Sequence, residues 1–165
     1  TLIKFKKDTM GRFLSGGGIV PLTPAQFPKR PQEITGLWVE GYEWVYGGIG
    51  FAGSNRPGCC SCWYVRWHLD YFNRSIIPAP MLFEVHVLDS SGNLILKIGQ
   101  YGNEDSKGKN SKEPIGGDEV GFFHPCFVGT DTDHRIFVSD AGNDRLLSVK
   151  LKYAVDEILA FKYQK

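Results

Sequence analysis

The stretch His124-Pro-Cys126-Phe-Val128-Gly-Thr-Asp131-Thr-Asp-His134-Arg-Ile-Phe-Val-Ser-Asp140-Ala-Gly-Asn143-Asp-Arg145-Leu-Leu-Ser-Val149 decides the fold. Two apolar runs, Cys126 to Thr130 and Arg135 to Asp140, flank the polar tetrad Asp131 to His134. A second turn, Ala141-Gly-Asn143, leads into a third run from Arg145 to Val149. Short runs rich in β-branched and aromatic side chains, separated by Asp, Asn and Gly, are the pattern of consecutive antiparallel strands. The stretch is therefore expected to be a β-meander.

The pattern recurs upstream. Phe5-Lys-Lys-Asp8-Thr-Met-Gly11-Arg12, Trp67-His-Leu-Asp70-Tyr-Phe-Asn73-Arg74 and Val128-Gly-Thr-Asp131-Thr-Asp-His134-Arg135 align without a gap, 62 (70 − 8) and 61 (131 − 70) residues apart. In each, the Asp can accept backbone N–H bonds inside a turn, the Gly/Asn/His slot tolerates φ > 0, and Arg opens the returning strand. Asp8, Asp70 and Asp131 are thus expected to close corresponding hairpins in three units. A competing register matches Asp89-Ser-Ser-Gly-Asn93 with Asp140-Ala-Gly-Asn143, 50 residues apart (143 − 93). The longer period is preferred because it spans three units and because Asp-x-Gly-Asn is general turn chemistry. Asp140, Asn143 and Arg145 are assigned to the second turn of the third unit.

The segment from His124 to Val149 resembles one NHL repeat: His124-Pro125 opens it, Asp140-Ala-Gly-Asn143-Asp-Arg145 forms its turn, and apolar strands lie between. Trp67 to Gly99 resembles a more divergent copy, with Asn93 to Gly99 as a fourth strand. The likeness covers residues 64–102 and 122–151 well and the earlier part poorly. It implies an all-β chain of about three four-stranded antiparallel blades of a β-propeller. The blades are a divergent one over 1–53 with a Gly/Pro-rich insertion, a second over 59–102 and a third over 122–165, within a single partial propeller spanning 1–165. The chain is also similar to secreted bacterial proteins built from such repeats, which implies a periplasmic or extracellular location.

Composition agrees with a turn-rich β-chain: 20 of 165 residues are Gly, against about 7% in average usage. Nineteen basic and eighteen acidic residues give a net charge of +1, which argues against nucleic acid as a main partner, since phosphate binding needs a basic face. No run of about eighteen apolar residues occurs, so no membrane span is expected. Thr1 is not preceded by a charged and apolar leader, so processing or fragmentation is expected to have removed the start. Rings use about four to eight blades. Three units therefore imply an incomplete ring, finished by a longer propeller, a second copy or another chain.

Along the chain, Leu2 to Lys7 and Arg12 to Leu14 are expected to be the first two strands of unit one. Gly16 to Gly18 with Pro21, Pro24, Pro28 and Pro31 forms a long connection. Leu37 to Val39 and Glu43 to Tyr46 follow as strands. Gly48-Ile-Gly50-Phe-Ala-Gly53 matches a dinucleotide fingerprint in letters only, since Pro57-Gly58 forbids the helix that must open there. Pro78-Ala-Pro80 is read as a turn, and Phe83 to Leu88 as a strand that places His86 and Glu84 on its solvated face.

Cys59-Cys60-Ser-Cys62 is the most chemically loaded stretch. Under the 61-residue register, Trp63 and Val65 correspond to His124 and Cys126, so Cys60, Cys62, His124 and Cys126 fall at equivalent starts of neighbouring first strands. Zinc accepts such Cys/His sets and copper(I) favours the thiolates. A disulfide such as Cys62–Cys126 and free buried thiols are the alternatives. His68 is an outer candidate for binding. Asn103 to Gly108 begins like a calcium loop, but Lys107 and Pro114 occupy positions where ligands belong. Asp105, with Asp118 and Glu119, remains open as a calcium-binding group beside the plainer reading of a solvated loop.

No Gly-x-Ser-x-Gly, His-Glu-x-x-His or P-loop occurs, so no standard nucleophile, zinc-protease or phosphate motif points to an enzyme. The expected function is a non-catalytic binding or structural module within a larger protein or complex, taking a protein or glycan partner. The alternatives are a metal-dependent lyase, which NHL propellers resemble as a fold family, and a metal-binding subunit of a redox assembly. For the lyase, only His124 and His68 match channel-side positions.

Overall fold

The computed structural model describes residues 1–15, 22–34, 36–47, 65–103 and 120–151. Among them the chain is all-β, and the helical segments are three single 3-10 turns, Pro24–Gln26, Pro80–Leu82 and Ala141–Asn143. The first strands are β1 (Leu2–Phe5), β2 (Arg12–Leu14), β3 (Trp38–Glu40) and β4 (Tyr42–Tyr46). Next come β5 (His68–Leu69), β6 (Ser75–Ala79), β7 (Glu84–Leu88), β8 (Leu94–Ile98) and β9 (Gln100–Tyr101). The last are β10 (Gly121–Phe122), β11 (Pro125–Thr130), β12 (Arg135–Asp140) and β13 (Arg145–Lys150). They form a four-stranded antiparallel sheet β5-β6-β7-β8, a three-stranded antiparallel sheet β11-β12-β13, the antiparallel pairs β1-β4 and β2-β3, and a short parallel pair β9-β10. Among the described residues none of the sheets closes on itself.

The two larger sheets are built by the same local chemistry, 61 residues apart (131 − 70). Asp70 Oδ1 accepts from the amides of Phe72 and Arg74 at 2.9 and 2.8 Å, and Asp131 Oδ1 from those of Asp133 and Arg135 at 2.9 and 3.0 Å. Asn73 and His134 both sit at φ 59°. After β6 and after β12 comes a 3-10 turn, and each ends on a left-handed residue, Phe83 at φ 59° and Asp144 at φ 47°. Short polar side chains that fold back on the backbone make such turns self-sufficient, which is why the sequence announces them. A third turn of this kind lies at Asp89, whose Oδ1 accepts from Ser91 and Asn93 at 2.9 Å each, with Gly92 at φ 85°. Hydrogen bonding from the Asn93 side chain, then from the surrounding amides, holds the Asp89 carboxyl below the ordinary range.

Unit one differs. β1 does not pair with β2: Leu2 to Phe5 pair with Tyr46 to Tyr42, and Arg12 to Leu14 with Glu40 to Trp38. Asp8 itself is left-handed, at φ 59°, while Gly11 is not. Gly11 serves packing instead, because a Cβ there would lie 1.9 Å from Cδ1 of Phe5. Pro78 and Ala79 also depart from the expected turn, since they lie within β6 and the bend begins at Pro80. β5 pairs only with Ser75 and Ile76, so Pro78 sits where β6 has one ladder neighbour among the described residues, a position that tolerates the missing N–H.

Packing places the four-stranded sheet in the middle. One face sets Ile76, Val85, Val87 and Ile98 against Phe122, Ile136 and Val138; the other sets Ile77, Ala79 and Leu88 against Leu2, Trp44 and Tyr46. Every residue of β6 is consequently buried, whereas β12 alternates and buries one face. His86, expected on a solvated face, is 1% exposed because the β1-β4 pair covers it. Its Nδ1 is 2.8 Å from Tyr46 Oη and its Nε2 2.7 Å from Glu84 Oε2. Burial, and then the Glu84 carboxylate, push the Tyr46 phenol up. The imidazole is a polar strut between the first and second units, satisfied at both ends as a buried ring must be.

Candidate functional site

The densest polar cluster is centred on Asp140, at the end of β12. Its side chain is 0% exposed; Oδ1 accepts from the amides of Phe123 and His124 at 3.0 and 2.8 Å, and Oδ2 from Asn143 Nδ2 at 2.7 Å and Arg145 Nε at 3.1 Å. Asn143 Nδ2 also donates to the carbonyl of Gly102 at 2.8 Å, and Arg145 Nη2 to that of Gly121. The cluster ties the end of the second unit, the parallel pair β9-β10 and the turn of the third unit into one knot. Asp140, Arg145 and Asn143 Nδ2 therefore engage in architecture, while Asn143 Oδ1 is buried without a hydrogen-bond partner among the described residues. The corresponding positions in the second unit are Ala79, Leu82 and Glu84, so the second unit lacks the residues for such a knot.

Of the Cys/His set, His124 and Cys126 lie in this neighbourhood, while Cys60 and Cys62 fall outside the described residues. Burial pushes the His124 imidazole down, with the Asp140 carboxylate opposing it. Cys126 is a buried free thiol whose Sγ is 3.5 Å from the Ser139 carbonyl, to which it donates. Among the described residues no group of three or more His, Cys, Asp or Glu is placed to hold a metal ion. His68, on β5, is half-buried and pairs across the ladder with Ile76. Asp105 and Asp118 lie outside the described residues.

The corresponding turns of the two units touch. The Phe72 ring stacks on His134 at 5.2 Å with an interplanar angle of 18°, and the Arg74 guanidinium lies 5.1 Å from the Phe72 centroid. The same arginine reaches back to Asp70 Oδ2 at 2.6 Å. Asp70 is buried while Asp131 is exposed, so equal turns carry unequal weight. Asp70→Ala is expected to lower unfolding free energy by about 1.5–3 kcal/mol, the range for hydrogen bonds to a charged group. Asp131→Ala is expected to cost about 1 kcal/mol or less. Urea unfolding of the two variants checks the order, and equal losses would contradict it.

A cleft that no sequence motif marks lies between the β1-β4 pair and the β5-β6 hairpin. It has two adjoining lobes of about 270 and 140 Å³ that share Lys4, Trp44, Leu69 and Ser75. Trp67 extends one lobe; Asn73 and Ser90 extend the other. The exposed aromatics were visible in the sequence, but the pairing of β1 with β4 that brings Lys4 and Trp44 to Ser75 was not. No helix among the described residues is long and apolar enough to cross a membrane. No family model matches the chain, and no curated protein matches it.

Proposed function

We propose that this chain is an NHL-type β-propeller segment that acts as a non-catalytic binding module, with its ring completed by further blades of a longer protein or by a second chain, outside the cytoplasm. The observation that carries the reading is a parallel bridge between Arg66 and Phe127, in which the Arg66 amide donates to the Cys126 carbonyl at 2.9 Å. The two bridged residues are 61 apart (127 − 66), the period of the units. Equivalent points on successive first strands thus lie side by side and run the same way, as they do around the channel of a propeller. Face-to-face stacking of β1-β4, β5-β8 and β11-β13 supports the same arrangement. The outer face of β11-β13 leaves Leu146 71% and Phe127 44% exposed among the described residues, a surface suited to a further blade. The buried carboxylates Asp70 and Asp140 engage amides and arginines, which favours a structural role over acid–base work.

An experimental structure of the full chain tests the proposal directly. Superposing 70–88 on 131–149 should require one rotation of about 45–90°, the step for rings of four to eight blades, about an axis running beside Arg66 and Phe127. A translation, or an axis on the far side of β8, would remove the propeller. Intact mass with light scattering then determines whether a second copy supplies the missing blades.

A further inference from the structure

We propose that the cleft between β1-β4 and β5-β6 binds a neutral sugar ring, so that the module recognises a glycan; this rests on the binding-module reading above. Its walls are amphipathic in a specific way. Trp67, just before β5, and Leu69, within it, are each 50% exposed and line one lobe together with Trp44 of β4. The Trp44 indole is held on its other sides. Its Nε1 donates to the Ser90 carbonyl at 3.1 Å, and its ring rests on Gly92, where a Cβ would lie 2.6 Å from Cδ2. An aromatic wall fixed before the ligand arrives loses little freedom on binding.

Ser75 lies at the bottom of the cleft. It is 4% exposed, lines both lobes, and its hydroxyl makes no hydrogen bond to any described residue. The hydroxyl opens onto the cleft, where a ligand group able to donate or accept can hydrogen-bond to it. Asn73, exposed at the rim, adds an amide with both functions. The ligand must therefore offer hydroxyls on one side and apolar C–H surface on another. A pyranose does both, because its axial hydrogens stack on the electron-rich face of an indole.

Charge narrows the class. Among the described residues, Lys4 is the one ionisable residue lining either lobe, and its ammonium is already held by Glu43 Oε1 at 3.0 Å and the Ser90 carbonyl at 2.9 Å. An anion would gain little from a cation so engaged. A purely apolar ligand would leave Ser75 unpaired.

The test is titration of the full chain with maltotetraose, cellotetraose and β-1,4-galactotetraose, followed by tryptophan fluorescence and saturation-transfer NMR. Tetragalacturonate and acetyl-tetraalanine amide are the acidic and peptide comparisons. At least one neutral tetrasaccharide should bind in roughly the millimolar range. Trp67→Ala, at a half-exposed position where folding is spared, should weaken it by about tenfold, and Ser75→Ala by about three- to tenfold. Binding unaltered by both substitutions, or no binding of any neutral sugar, overturns the inference. Binding of the peptide alone also overturns it while leaving the binding-module reading in place, and the rotation test above decides the propeller independently.

Discussion

Asp140→Ala is expected to lower the unfolding free energy by about 3–5 kcal/mol, the cost of breaking a buried charge pair by removing one partner. Four donors converge on this carboxylate: the amides of Phe123 and His124, Asn143 Nδ2 and Arg145 Nε. Alanine leaves them facing an empty volume where water has poor access, and Arg145 loses the Asp140 carboxylate opposite it. Asp140→Asn should cost less, since the amide oxygen can still accept from the two backbone N–H groups. Chemical denaturation of the three proteins gives the order wild type, Asn, Ala. A loss under about 1 kcal/mol for Ala would mean that the knot is replaceable by solvent, and the link it makes between the units would not be essential to the fold.

The second large effect concerns Phe122 and Gly99. Phe122 is fully buried among Ile76, Val85, Ile136 and Val138, the side chains that join the two larger sheets. Phe122→Ala should cost about 3–5 kcal/mol through lost burial and the cavity left behind. Gly99 is the matching half of this contact. At φ 98°, it would place a Cβ 2.3 Å from Phe122 Cδ2 and 3.1 Å from the Phe83 carbonyl oxygen. Gly99→Ala therefore suffers both overpacking and left-handed strain, and should destabilise by about 1–3 kcal/mol or somewhat more. The double variant separates these causes. With the ring gone, the clash disappears while the strain remains, so the double variant should lose less than the sum of the two single losses. Strict additivity in denaturant unfolding would show that the ring and the glycine are not in the contact described.

The local turns were legible from sequence because each carries its own partners. Asp70 and Asp131 accept amides within four residues of themselves, and Asn73 and His134 supply the left-handed slot. No distant atom is needed, so residue type and spacing were enough to place both turns and the 61-residue interval between them. Asp8 had the same letters around it and a different outcome. The choice of β4 over β2 as the partner of β1 spans some forty residues, a separation no local pattern encodes.

Long-range pairing also decided what the strand pattern left open. Alternation in Glu84 to Leu88 correctly separated two faces, but it did not say that the β1-β4 pair would lie over the face carrying His86. The same covering sheet creates the cleft, since Trp44 and Ser75 come from different sheets and their separation in sequence holds no periodic signal. The Asp140 knot was half visible. Its turn residues could be read, whereas the amides of Phe123 and His124 and the carbonyls of Gly102 and Gly121 meet it only in the folded chain. By itself the sequence determined an all-β chain with self-contained Asp turns at a fixed interval, because hydrogen bonds over a few residues depend on residue type alone. Tertiary structure decided which strands pair, which polar groups are buried and where a ligand can enter, because those follow from how separate sheets cover one another.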